Sequence, residues 1–293
     1  LAACFLDSCA CLSLPVTGYG IRYEYGMFHQ HIDNGYQVED PDHWMRDGHP
    51  WEVERPEYTQ TVLFCGRTEH FIDPQGKPHA RWIETEDVLA VPYDVPVPGY
   101  RNDIVNTLRL WKSEATDEFD LEEFNAGSYT EAVAAKNLAE QITMVLYPND
   151  ASENGKELRL RQQYFLTSAS LQDVFRQYAD RPLSEFADYN VFQLNDTHPV
   201  LAIPELMRLL IDEHQLPWAK AWEITKPALG QWIVGMLVVG LLLLLLAGGG
   251  DAVSHSSVAA PHGLALARSP CSGKSIEATA APPRAQGRHA ASM

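Results

Sequence analysis

VFQLNDTHPVLAIPELMRLL, residues 191–210, changes character in its middle. An apolar run through Phe192–Leu194 ends in Asn195, Asp196, Thr197 and His198, and Pro199 then opens a stretch with helical spacing. In an open α/β sheet, ligands sit beyond the carboxyl ends of the strands, where the next helix presents its N-terminal amides. On this pattern Phe192–Leu194 is a strand, residues 195–198 are its polar tip, and the chain is an α/β protein. The following helix starts at Pro199 or at Pro204, because proline suits a first helical turn at either place. The residue types leave two readings open. Asp196 and His198 hydrogen-bond a polar substrate, or Asp196 or Thr197 caps the helix and His198 is a satisfied buried imidazole. Asn195-Asp196-Thr197 also fits an N-glycosylation acceptor, which a cytosolic chain does not use.

Upstream, LYPNDASENGKELRL (146–160) is a polar, turn-rich connection between two helical stretches, the kind of place a mobile surface loop occupies. Before it, Ser128 and Glu131 have capping-box spacing, and Ala134, Leu138, Ile142 and Val145 share one helical face. After it, a helix is expected from about Gly155 to Ala179, with Tyr164, Leu171, Val174, Phe175 and Tyr178 on its apolar side. The region before residue 115 is expected to be mostly β. QTVLFCG (60–66), RWIETEDVLAVPYD (81–94) and IVNTLRLW (104–111) have the β-branched and aromatic content of strands between proline and glycine turns. In GYGIRYEYGMF (18–28), Ile21, Tyr23 and Tyr25 alternate with Arg22 and Glu24, also in strand fashion. LAACFLDSCACLSL (1–14) is composed like a helix, and its lack of a methionine start and of a basic leading segment leads us to expect a chain cut at its front rather than one with a signal peptide.

The 293 residues carry 22 Lys plus Arg against 39 Asp plus Glu, a formal net charge of -17 that repels a phosphate backbone and argues against nucleic acid as a partner. Cys4, Cys9, Cys11, Cys65 and Cys271 are odd in number and lack the paired spacing of a zinc site, so they are read as reduced thiols of a cytoplasmic protein, with no metal. Composition shifts near residue 226. The body, 1–225, is rich in Trp, Tyr, Asp and Glu, whereas 226–250 contains the apolar run Trp232–Ala247 and 251–293 has the composition of a disordered tail. The 16 residues of that run span roughly 24 Å as a helix, so 232–250 is a short candidate membrane span or an aberrant terminus. If inserted, it would tether the body on the cytoplasmic side.

The strand-tip segment, together with GYGIRYEYGMF, PWEVERPE (50–57), VLAVPYDVPVPGY (88–100), NTLRLW (106–111), VLYPNDASENGKELRLRQQYFL (145–166) and LPWAKAWEIT (216–225), resembles the glycogen and α-glucan phosphorylases. The likeness runs in order from Leu1 to Thr225, its wording is nearer bacterial members, and it corresponds to about a quarter of the family chain, inside the N-terminal domain. It implies a partial Rossmann-like N-terminal domain of a two-domain GT-B-type glycosyltransferase, which releases glucose 1-phosphate from α-1,4-glucan and inorganic phosphate. It further implies pyridoxal phosphate on a lysine of the C-terminal domain that has no counterpart here, and a homodimer. Residue by residue, the resemblance places Asp196 and His198, with Asn195, on a loop facing the cleft, and Asn149 and Asp150 in a gate over it. Animal members have a glucose-binding asparagine and an aromatic residue where this chain has Ala151 and Ser152. Arg176 matches one of their two activator-binding arginines, whereas Gln177 replaces the other, so activation by a nucleotide is not expected. The isolated chain is expected to be inactive. A membrane-tethered, non-catalytic glucan-binding fragment is the alternative.

Overall fold

The computed structural model describes residues 2–74, 76, 78–116, 121–194 and 198–229. Helix α1 (Ala2–Cys11) is followed by strands β1 (Thr17–Ile21), β2 (His29–Asp33), β3 (Tyr36–Asp40), β4 (Val53–Glu54), β5 (Gln60–Phe64), β6 (Arg67–Ile72), β7 (Pro78–Ile83), β8 (Glu86–Pro98) and β9 (Val105–Ala115). Helices α2 (Leu121–Asn125), α3 (Ala134–Glu140), α4 (Glu153–Tyr178), α5 (Phe186–Tyr189) and α6 (Ala202–Arg208) come next, and residues 218–229 are also helical. This is a mixed α/β architecture.

The main sheet runs β1-β9-β8-β4, with β5 also paired to β8. β1 and β9 are parallel, and the β8 pairings with β9, β5 and β4 are antiparallel. Pro92 of β8 falls between the last residue facing β5, Ala90, and the first facing β4, Tyr93. A residue without an N–H is tolerated at such a break in the pairing. Two hairpins, β2-β3 and β6-β7, stand apart from this sheet.

β9 shows how the sequence period becomes packing. Arg109, Trp111, Ser113 and Ala115 are buried at every second position, so one face of the strand is committed to the helices. Trp111 Nε1 donates to Ser170 Oγ of α4 at 3.1 Å, and Ser113 Oγ donates to the carbonyl of Ala139 in α3 at 2.8 Å. Trp111 belongs to a core with Val62, Phe64, Val88, Ala90, Ile142, Phe165 and Ala169, between the sheet and α3 and α4. A second, helical core gathers Leu171, Tyr178, Phe186, Leu206 and Leu210 with Ile224 and Leu229. α4 runs through both, so its 26 residues join the sheet to the helical part.

Several expectations are corrected. Phe192–Leu194 is not a strand; it packs against the helical core, and the Phe192 amide donates to the Ala228 carbonyl at 3.4 Å. A strand needs a neighbouring strand, and none lies beside this segment among the described residues. The helix after it begins as a 3-10 turn, His198–Leu201, before α6, so Pro199 sits in that turn and Pro204 is the third residue of α6. Its missing N–H falls among the first-turn donors that have no helical partner. β1 ends at Ile21, because the amides of Glu24 and Tyr25 turn away to the carbonyls of Thr143 and Met144. The helix expected on Ser128 and Glu131 is broken into 3-10 turns around α3, without a side-chain cap, and Leu138 and Val145 are exposed. In α1, Leu6 and Ala10 carry the packing while Cys4 and Cys11 are exposed thiols. Cys65 is disulfide-bonded, against the expectation that all five cysteines are reduced. Among the described residues no helix is long and apolar enough to cross a membrane; 232–250 and the tail 251–293 lie outside them.

Candidate functional site

The turn before α4 is built by its own side chains. Asn149 Oδ1 accepts from the Ala151 amide at 2.8 Å, and Ser152 caps α4 by accepting from the Gly155 amide at 3.1 Å. Asp150 is ion-paired to Arg159, two turns along the helix, and the Arg159 guanidinium lies 5.8 Å from the centre of the Tyr147 ring. Tyr147 is held at φ 52°, the left-handed region, which costs a non-glycine residue roughly 1–2 kcal/mol. Its phenol adds to the burial that pushes the Tyr23 hydroxyl up to about 12.

Gly155 lets this turn close. A Cβ there would overlap the carbonyl oxygen of Asn149, which is backbone and cannot swing away. Gly155→Ala is therefore expected to displace residues 149–152 and to lower stability by about 1–3 kcal/mol. Urea unfolding and the hydrogen-exchange rate of the Ala151 amide read both effects; unchanged values would show that the turn is not held this way.

His198 opens the 3-10 turn ahead of α6, and its ring meets Tyr147 with centroids 5.9 Å apart and planes tilted by 50°. The structure thus brings together His198 and the turn carrying Asn149 and Asp150, far apart in sequence, with Tyr147 between them. Asn195 and Asp196, with Thr197, lie outside the described residues. A cleft of about 260 Å³ opens beyond the carboxyl end of β1, lined by Ile21, Tyr23, Tyr25, Trp44 and Leu146 among others; neither His198 nor residues 147–152 line it. Asn149 spends its side-chain oxygen on the turn itself, and Asp150, half-exposed, is charge-paired to Arg159 of α4. Tyr147, Arg159 and Gly155 escaped the sequence reading. Ser152 stood in plain view as a cap type three residues before Gly155, but only the helix geometry gives it that role.

Arg176 lies elsewhere, in a charged cluster under the sheet. Asp173, fully buried, accepts from Arg109 and Arg176 at 2.7 Å through Oδ1, and from Tyr19 and Gln177 at 2.7 Å through Oδ2. Asp94 holds the other edge of Arg109 in a bidentate pair at 2.8 and 2.7 Å. Burial opposes the Arg109 charge, but the bonds to Asp94 and Asp173 outweigh it and hold the guanidinium firmly protonated. Burial and the neighbouring Asp173 carboxylate push the Tyr19 hydroxyl well above its usual range. Gln177, which departs from the animal pattern, is thus an internal hydrogen-bonding partner of Asp173.

A lysine that forms an imine with an aldehyde cofactor must shed its proton. At Lys112 burial works in that direction, but the hydrogen bond to Glu114 prevails and raises the ammonium; Lys156 and Lys220 are raised by Glu153 and Glu223. Lys136 is paired with Glu140, and Lys226 is exposed on the last helix. Four of the five described lysines, Lys112, Lys136, Lys156 and Lys220, are thus engaged by carboxylates.

A carbohydrate phosphorylase family model matches residues 1–231. The brain form of glycogen phosphorylase from Ovis aries is 55% identical over 236 residues, covering 77% of this chain and 27% of that protein. The muscle form from Bos taurus is 54% identical over 235 residues and the liver form from Ovis aries 53% over 236, with the same coverage. The chain thus spans about a quarter of the length of these curated relatives.

Proposed function

Because the chain belongs to the carbohydrate phosphorylase family, we propose that it forms the sugar-facing part of an α-1,4-glucan phosphorylase, a glycosyltransferase that moves a glucosyl unit to inorganic phosphate. The observation that carries this reading is the convergence of His198 and the 147–152 turn, joined through the Tyr147 ring. Imidazole and carboxamide groups held on rigid elements suit the many hydroxyls of a glucosyl unit, which require hydrogen-bond partners in fixed directions. In this reading His198, with Asp196 and Asn195 just before it, orients the glucosyl ring, and Asn149 and Asp150 gate its entry. Residues 1–225 are the partial N-terminal domain of a two-domain GT-B-type fold. Pyridoxal phosphate belongs to the other domain; the engagement of four lysines here by carboxylates supports this. We also place the parent protein in the cytoplasm as a homodimer. The membrane-tethered alternative finds no support among the described residues.

The test is a graft in which residues 1–225 replace the matching stretch of the Ovis aries brain form. Release of glucose 1-phosphate from glycogen and phosphate is expected; a folded graft that releases none overturns the reading.

A further inference from the structure

We infer that Tyr147 is a positioning residue that couples the gate turn to His198, so that neither moves without the other. The inference rests on reading His198 as the sugar-facing group, and it adds the part that connects the sugar to its gate. Tyr147 touches both sides of the site. One contact is the tilted ring packing on His198, and the other is the Arg159 guanidinium, which is itself paired with Asp150 of the turn. Its backbone is held left-handed, a state that tyrosine adopts only where surrounding contacts impose it. Leu146, its chain neighbour, lines the cleft together with Tyr23. Displacing His198 on sugar binding would therefore push on the Tyr147 ring, on Arg159 and, through the ion pair, on Asp150. An aromatic ring suits this duty, because it transmits position to an imidazole by packing rather than by a hydrogen bond.

The experiment uses the full 293-residue chain with labelled histidine, the His198 ring signals being assigned by their loss in His198→Gln. In the wild-type chain a nuclear Overhauser contact between the Tyr147 and His198 rings is expected. Tyr147→Ala should shift the His198 ring signals and the Ala151 amide together, while His70 and His79, on the β6-β7 hairpin, stay in place. Tyr147→Phe should restore both. A wild-type chain without the ring contact overturns the inference, even if Tyr147→Ala fails to fold. So does a folded Tyr147→Ala chain in which His198 moves and the Ala151 amide does not. A purely structural role for Tyr147 would move all the histidine signals, and that result overturns it as well. Maltodextrin titration of the His198 signal is read separately. If the ring contact and the paired shifts are present but the sugar leaves His198 unmoved, the sugar-site reading fails while the positioning by Tyr147 stands.

Discussion

Asp173→Ala is expected to remove about 3–5 kcal/mol of stability, the range found when one partner of a buried ion pair is deleted and the other is left in place. The carboxylate is fully buried and accepts from four side chains, so its loss leaves Arg109, only 6% exposed, with Asp94 alone. The Tyr19 hydroxyl on β1 and the Gln177 amide on α4 lose their shared acceptor at the same time. With total stability of a domain in the range of about 5–15 kcal/mol, a loss of this size is a large fraction of the whole. Asp173→Asn keeps the shape but offers one acceptor oxygen instead of two, and should cost about 1–3 kcal/mol. Urea unfolding of the three chains gives the comparison. A shift below about 1 kcal/mol for Asp173→Ala would show that the cluster does not fasten α4 to β1 and β9. The consequence for the proposed site is indirect: α4 carries the 149–152 turn at its other end, so this cluster sets where the turn sits relative to the sheet.

In the graft, His198→Ala is expected to lower kcat/KM for glycogen phosphorolysis on the order of 100-fold, the scale of an approximately 1 Å error in placing a reacting group. The change removes a hydrogen-bonding ring from the proposed glucosyl site and the packing partner of Tyr147 together. The loss should lie mainly in kcat if His198 orients the sugar in the transition state, and mainly in KM if it only binds it. A graft variant that keeps its activity to within a few-fold would remove His198 from the site.

Much of the fold was legible in the sequence wherever a long periodic segment met its natural partner. α4 was expected from about Gly155 to Ala179 and spans Glu153–Tyr178, because its apolar spacing continues for several turns. β5, β8 and β9 lie where the β-branched runs placed them. Phe192–Leu194 misled because a short apolar run looks the same in a strand and in a segment packed against helices, and only a neighbouring strand decides between them. The Ser128–Glu131 spacing failed for a related reason: the pattern is local, whereas Ile142 and Ala139 are held by the sheet core, and the chain bends into 3-10 turns to reach it.

The site was legible in a different way. Asn149, Asp150 and His198 came from the likeness of their motifs to a family, and spacing alone left Asp196 and His198 undecided between substrate and structural roles. Tyr147 and Arg159 could not be read at all, since one is distinguished by a left-handed backbone and the other by an ion pair across two helical turns. Arg176 was matched to one of two activator-binding arginines of animal members, with no activation expected, and in the structure its charge is spent on Asp173, with the Tyr58 ring 3.9 Å away.

On the proposed function, this chain supplies the sugar-facing side of a phosphorylase whose cofactor is held elsewhere. The decisive measurement is glucose 1-phosphate release, read side by side for the graft and for the 293-residue chain supplied with glycogen, phosphate and pyridoxal phosphate. Release is expected from the graft and none from the chain alone. Release by the chain alone, or none from a graft that is folded and cofactor-loaded, would contradict it.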